Sequence, residues 1–477
     1  MNATVQVLRE DDCAQVHERS LKLLQDTGVR VMSGRARSVL DGAGAEVKNH
    51  YDRVYFPRAI IENAMKLAPV EFTLGTRRPD RDLAMNSGEC RLCADGGAVS
   101  VLDWDTQDLR PGTFDDWLAA TKLIDSLDEI DIYWNMVEGG CSDTRAGYVE
   151  YWIHLLGNCS KHIQDSVSSM ERARLLLEIL EIAFGSRDHV RLKRPFSHVL
   201  CPTSPLMLDS QYTDAFLETA SWGLPVAIMP MPLMGATSPA SLISTVLVAN
   251  ADFLASLCLV QAASPGTAIL YAAMPSVVEP HTWRYTGGGI ENSLLSVAAA
   301  EMGRYYRLPV EIGAGGTDHF LPGIQSSYER AINWVLPSAA WPDILVGPGL
   351  LGGSTILSFE QMMIDVEIFR RCRRLRTGIS TASEHWLEDI LKKQGPGGNF
   401  IGQKSTMEAL HDGRLYLSRF GFHEPFEKWK SAGKPDLINE IREIMQETLR
   451  SHKPLPLDPA VQKELEALAL RMRKTDA

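Results

Sequence analysis

Residues 309–319 read Pro-Val-Glu-Ile-Gly-Ala-Gly-Gly-Thr-Asp-His. Val310 and Ile312 alternate as in a short strand, and the run empties into a glycine-rich loop. Before it, Leu295, Ala299, Met302 and Tyr306 recur at spacings of three and four, the stripe of an amphipathic helix. Helix, strand and loop then repeat outward in both directions. Downstream, Asp343–Val346 runs into Gly347-Pro348-Gly349, followed by a helix carrying Phe359, Met362, Met363, Val366 and Phe369. Upstream lie Thr267–Ala273, Pro225–Pro230, His198–Pro202, Ser160–Val167 and Ile130–Val137, with an eighth strand expected within Arg91–Leu102. Eight strand–helix units predict an α/β fold of the (β/α)8 TIM-barrel type over residues 90–378, with an open doubly wound sheet as the alternative. Chemistry on such a barrel belongs at the C-terminal ends of the strands.

Flanking the barrel, residues 1–89 read as a small α+β cap. Val16, Leu23 and Leu24 share a helix face that Gly28 ends, and extended pieces follow at Val29–Val31, Val47–Phe56 and Val70–Leu74. Residues 379–477 read as a helical extension broken at Gly395-Pro396-Gly397-Gly398, with Pro454 and Pro456 setting off a last helix. The chain of 477 residues carries 48 Lys+Arg against 60 Asp+Glu, a net charge of −12, which argues against nucleic acid as a partner. Asn250, Asp252 and Gln261 interrupt the longest apolar stretch, Leu242–Ala263, so it is expected to be a buried helix and not a membrane span. Eight scattered cysteines and an acidic N-terminal stretch point to reduced thiols and a cytoplasmic setting.

Gly347, Gly349 and Gly352 form a GxGxxG between a strand and a helix, the context of a dinucleotide fingerprint. They stand at the last strand of the series, however, so close backbone packing is the competing explanation. Cys90 and Cys93 have the spacing of half a zinc site with nothing to complete it, so no metal is assigned. Cys141, Cys159 and Cys201 are further thiols, most simply small apolar residues. The run Arg370-Arg-Cys-Arg-Arg-Leu-Arg376 suits a solvated helix end favoured by the helix dipole. Trp283, Tyr285, Phe320 and Phe359 lie close behind strand ends, and aromatic faces attract cations, quaternary ammonium groups above all.

Several ordered segments carry a family resemblance: His17 through Val31, Asp103 with Arg110-Pro111 and Asp115-Asp116, Ser160-Lys161-His162, and Gly313 through Asp318 with Tyr328-Glu329. Asp343 through Gly353 and His452 through Pro456 complete the set. On these the chain resembles the trimethylamine methyltransferase superfamily from about Val16 to its end. The resemblance implies a barrel enzyme that moves a methyl group from an amine to the Co(I) centre of a separate corrinoid protein, with no cobalamin bound tightly to itself. Members acting on trimethylamine carry pyrrolysine. This chain has standard residues only, the corresponding position falling near Gly315–Thr317. It therefore resembles the pyrrolysine-free branch, whose substrates are quaternary amines such as glycine betaine, proline betaine or carnitine.

Under that resemblance no general acid is assigned. Gly315, Gly316 and Asp318 would position the substrate, Gly313, Gly347 and Gly349 would give backbone room, and Trp283, Phe320 and Phe359 would form a cation cage. His319 would meet a substrate carboxylate. Leu351 would line the site, and its apolar character argues against glycine betaine itself. The expected partners are the corrinoid protein and a small quaternary amine, with no nucleic acid and no membrane; a homo-oligomer is compatible with the sequence. Two other readings stand beside this one: a non-catalytic amine-binding barrel, suggested by the lack of a recognisable proton-transfer pair, and a nucleotide-dependent oxidoreductase, resting on the GxGxxG alone.

Overall fold

The computed structural model of the chain describes residues 4–48 and 52–476. Eight strands form one all-parallel sheet: β1 (Arg91–Cys93), β2 (Ile130–Tyr133), β3 (His162–Asp165), β4 (Phe196–Leu200), β5 (Val226–Ile228), β6 (Ile269–Tyr271), β7 (Glu311–Gly313) and β8 (Ile344–Val346). Each pairs with its neighbour in chain order, and β8 returns to β1. The remaining seam, β6 to β7, closes through the parallel bridge Tyr271–Val310 and a 2.9 Å bond from the Tyr271 amide to the Pro309 carbonyl. The sheet is thus a barrel and not an open array. Its helices are α1 (Phe114–Ser126), α2 (Arg145–Asn158), α3 (Met170–Phe184), α4 (Gln211–Thr219), α5 (Leu242–Ala263), α6 (Ile290–Tyr305), α7 (Ile324–Ala339) and α8 (Phe359–Arg376).

Alternation along the strands fills the barrel. Cys93, Ile132, Val199, Ala227, Leu270 and Val346 point inward into one apolar cluster, with Phe72, Leu74, Leu83 and Met85 plugging its N-terminal end. Cys90 belongs to the outer cluster and Cys93 to the inner one, so the two thiols lie on opposite faces of β1 and cannot form half a metal site. The expected eighth strand region, Arg91–Leu102, divides. Arg91–Cys93 is β1, and Ser100–Leu102 turns back over the mouth to pair with Leu109–Pro111 and with Ile356–Leu357.

The apolar α5 is buried, and each polar interruption has its partner. Asn250 donates to Ser20 Oγ and the Tyr306 hydroxyl at 2.9 Å, Asp252 accepts from Ser204 Oγ and the Leu206 amide at 2.7 Å, and Gln261 donates to the Thr267 carbonyl at 2.9 Å. The N-terminal helix Glu10–Asp26 packs along α5, and Val29–Val31 pairs in parallel with Met207–Leu208. Of the extended stretch expected at Val47–Phe56, Glu46–Lys48 and Arg53–Tyr55 pair as strands, while positions 49–51 lie outside the described residues. The last helix, Pro459–Asp476, packs against α2 and α3. The arginine run at the end of α8 is not simply solvated. Arg376 is 6% exposed and stacks on Trp341 at 4.2 Å, and Arg373 covers Phe369 at 4.7 Å.

Candidate active site

The C-terminal ends of the strands surround a mouth built from two interlocked loops. After β7, residues 314–319 lie against the hairpin Leu350–Leu351/Ile356–Leu357 that follows β8: the Gly352 and Gly353 amides donate to the carbonyls of His319 and Thr317 at 2.9 Å. The glycines make this contact possible. A Cβ on Gly347 would stand 1.9 Å from the Ala314 carbonyl oxygen, and one on Gly316 would stand 2.3 Å from that of Gly287. A fully buried ion pair locks the hairpin from below: Arg330 donates to Asp365 Oδ2 at 2.6 Å and to the carbonyls of Gly347 and Leu350. Asp365 also accepts from the Gly349 amide at 2.8 Å and from Gln361 at 3.0 Å. Burial raises the Asp365 carboxyl against the pull of Arg330. The space a pyrophosphate would need beside the glycines is occupied by this chain, which removes the structural basis of the nucleotide reading.

Asp318 is a loop staple. Its carboxylate accepts from the Gly287 amide at 2.6 Å and from Thr286 Oγ. Glu329 holds the same loop from α7, accepting from Thr317 Oγ at 2.5 Å and the Asp318 amide at 3.0 Å. Asn333 stitches the loops together by donating to the Gly287 and Gly316 carbonyls.

Between them is a cavity of about 90 Å3 lined by Asp95, Met274, Tyr285, Gly313, Ala314, Gly316, Asn333, Val346 and Ser354, among others. One water needs ~10–15 Å3 on this scale, so a trimethylammonium head fits. No Lys, Arg or His lines it. Asp95, just past β1, accepts from Ser354 Oγ at 3.0 Å and the Gly96 amide at 2.9 Å, and loss of solvent pushes its carboxyl up to about 6. Trp134, past the end of β2, packs so closely on Gly96 that a Cβ there would stand 2.8 Å from the indole. Asp165 closes β3 beside Trp134, and burial pushes it up to about 7 although the Ser166 amide and the indole both donate to it. The Tyr285 hydroxyl is raised by burial and by the nearby carboxylates of Asp95 and Asp318.

Of the residues singled out from sequence, Gly313 and Gly316 line this cavity. Gly315, at φ +65°, backs onto Trp334. His319 Nδ1 is turned to the backbone of Leu321, 2.8 Å from its carbonyl oxygen and 3.2 Å from its amide. Phe320 lies half exposed over Gly352, and Trp283 is 67% exposed in the hairpin turn after β6. Phe359 starts α8 packed against the main core, while Gly349 packs on Met136 and Met362. Leu351 is buried with Leu102 and Ile356. Trp283, Phe320 and Phe359 thus stand in three different surroundings, and the aromatics nearest the carboxylates are Trp134 and Tyr285. Asp95, Trp134 and Asp165 were not singled out for function, yet all three sit just where a barrel strand ends.

The sequence matches the trimethylamine methyltransferase (MTTB) family over residues 1–476. The chain belongs to that family. It is 26% identical to the trimethylamine methyltransferase MttB of Desulfitobacterium hafniense (strain DSM 10664 / DCB-2), over 96% of this chain and 92% of the relative. It is 27% identical to the MttB of Methanosarcina barkeri, over 96% and 93%. With the glycine betaine methyltransferase of Desulfitobacterium hafniense (strain Y51) it shares 26% identity over 98% of this chain and 97% of the relative. Among solved structures, the monomethylamine methyltransferase of Methanosarcina barkeri superposes with a TM-score of 0.50 at 11% identity, covering 93% of each chain. That likeness concerns the fold, an α/β barrel ringed by helices. The MTTB family is one of methylamine-type methyltransferases.

Proposed function

We propose that this chain is a cytoplasmic enzyme that moves a methyl group from a quaternary amine to the Co(I) centre of a cognate corrinoid protein. It binds no cobalamin tightly itself. The observation that carries the reading is the barrel mouth: Asp95 and Tyr285 line a cavity with no basic side chain, and on the neighbouring strand ends the Trp134 indole packs on Gly96 and donates to Asp165. Carboxyls raised by lost solvation are stabilised in their ionised form by an incoming cation, and an indole face adds attraction for a quaternary ammonium.

The loop after β7 bears on the leaving group. A Cβ on Gly315 would stand 2.3 Å from the Trp334 indole, Gly316 abuts Gly287, and Thr317 is turned to Glu329, so a long activating side chain has no room there. A quaternary substrate needs none. The Co(I) electron pair forms the Co–C bond, the C–N pair stays on nitrogen, and a neutral tertiary amine leaves without a proton. The protein's work is then to desolvate and orient the cation. A substrate carboxylate, where present, would meet the Ser276 hydroxyl and the second amide hydrogen of Asn292, whose first goes to the Thr286 carbonyl.

The test follows conversion of Co(I) to methyl-Co(III) on the corrinoid protein with glycine betaine, proline betaine, carnitine and trimethylamine. Turnover with a quaternary amine and none with trimethylamine is expected. Turnover of trimethylamine alone overturns the substrate class, and binding without transfer from any quaternary amine leaves a non-catalytic amine-binding barrel.

A further inference from the structure

Beyond α8 the chain runs for 64 residues, Thr377 to Glu440, in which Phe420 is the one buried residue. The stretch is nonetheless ordered into the helices Glu388–Gln394, Lys404–His411 and Phe426–Ser431. Each is shorter than the roughly 12–15 residues at which an isolated helix becomes even marginally stable in water. Their stability must come from packing, yet large apolar side chains point away from the molecule: Ile379 is 79% exposed, Trp386 59%, Leu391 55%, Ile401 82%, Leu417 67% and Phe426 64%. The segment is pinned to its own barrel over a short central stretch. Tyr416 and Ser418 donate to Glu367 at 2.7 and 2.8 Å, Arg374 donates to the Arg414 carbonyl, and Phe420 enters the core. On either side of this anchor its large apolar side chains stay exposed among the described residues.

We propose that this segment is the interface between two copies of this chain. Thirteen large apolar side chains in it are at least one-third exposed. At ~150–250 Å2 for a large side chain, they offer on the order of 1,000 Å2 per copy, where a stable interface needs about 800 Å2 per partner. Charge selects the occupant. The whole chain carries −12, so two copies repel, but this segment holds eight basic and nine acidic residues with the signs interspersed. It is a nearly neutral, self-complementary surface of the kind a two-fold contact requires. The segment runs alongside α8: Arg376 at its root lies against the Gly88 and Pro342 carbonyls just before β1 and β8 begin, Tyr416 and Ser418 meet Glu367 midway, and Arg442, just past its end, donates to Asp105 and pairs with Glu360 near the start of α8. A second copy seated on it lies against the outer flank of the barrel.

Sedimentation equilibrium of the full chain at micromolar concentration should return about twice the 52.8 kDa monomer mass. The double variant Ile401→Asp, Phe426→Asp should weaken association at least 100-fold, while Leu192→Asp, equally exposed on the short helix Arg187–Lys193 before β4, should leave it unchanged. Hydrogen exchange on the wild-type chain supplies a measurement that needs no variant. Amides of the three short helices should lose protection on dilution to nanomolar concentration while those of β1–β8 keep it. A wild-type monomer at micromolar concentration overturns the proposal, as does a dimer indifferent to the double variant or protection indifferent to dilution. A monomer that covers these helices only when a corrinoid protein is added overturns it equally.

Discussion

Asp165 and Asp95 are the two carboxyls at the strand ends around the barrel mouth that desolvation shifts toward neutrality. Burial has pushed Asp165 to about 7 and Asp95 to about 6, so near neutrality both hold protons part of the time. A quaternary cation favours their ionised forms. Its dissociation constant should therefore fall as pH rises from about 6 to about 8, and binding below that range should release protons. Calorimetry of one quaternary amine in two buffers of different ionisation enthalpy checks this, and pH-independent affinity would remove the two aspartates from the site. Trp134→Leu should weaken the same ligand by roughly threefold to thirtyfold, since a cation–π contact contributes about 0.5–2 kcal/mol. Arg330 makes a different kind of contribution. Arg330→Met strands the buried Asp365 carboxylate and should cost about 3–5 kcal/mol in urea unfolding. Asp365 was visible in the sequence only as an acidic residue within a helix. Its role was hidden because its partner lies 35 positions away and the loop it holds belongs to a third element.

Within the barrel, β3, β4 and β7 share a polar row. His162 Nδ1 faces the Gly75 carbonyl and its Nε2 faces Ser197 Oγ, both at 2.9 Å; Ser197 meets Gln164 at 3.0 Å, and Gln164 meets Glu311 at 2.5 Å. Turning the Gln164 amide end for end leaves every heavy atom in place. Neutral His162 can then donate to Gly75, Ser197 to His162, Gln164 to Ser197, and a protonated Glu311 to Gln164. Burial drives both end groups to these neutral forms, raising Glu311 to about 7 and lowering His162 to about 4. Because the folded state holds the Glu311 proton more tightly than the unfolded chain, whose carboxyl titrates near 4.5, this group's stabilisation is full below pH 4.5 and lost as pH rises through 7. Glu311→Gln keeps a donor for Gln164 and removes the titration. It should raise stability at pH 8 relative to wild type by on the order of 1–3 kcal/mol, with little change near pH 4.5, in chemical denaturation at the two pH values. The alternation around Val310 and Ile312 announced β7 as an element, but gave no sign that Glu311 was a member of a row crossing the barrel, because such pairing depends on register between strands.

At the scale of the molecule, periodicity was legible wherever one element faces the core on one side: α6 and α8 are where their apolar stripes place them, and each of the eight strand regions read between residues 91 and 346 contributes a strand to the barrel. What periodicity does not carry is convergence. Trp283 and Phe359 follow strand ends as Trp134 does, yet one lies in an exposed turn and the other packs on the core, because loop paths are set by contacts such as Asp318 with Gly287 that leave no repeat in the sequence. The same global view separates substrates by charge. The protein's −12 and the acidic lining of the mouth set up a field that attracts cations over distances comparable to the Debye length, ~30 Å at 0.01 M salt and near 10 Å at 0.1 M. A zwitterionic betaine feels that field on both of its charges and a pure cation on one. Raising salt from 0.01 to 0.3 M should therefore weaken binding of tetramethylammonium more than binding of a betaine. Titration calorimetry of both ligands at the two salt concentrations measures the difference. Equal slopes would mean that no uncompensated negative potential reaches the bound cation, and the carboxyls of Asp95 and Asp165 would then have to be neutral in the complex.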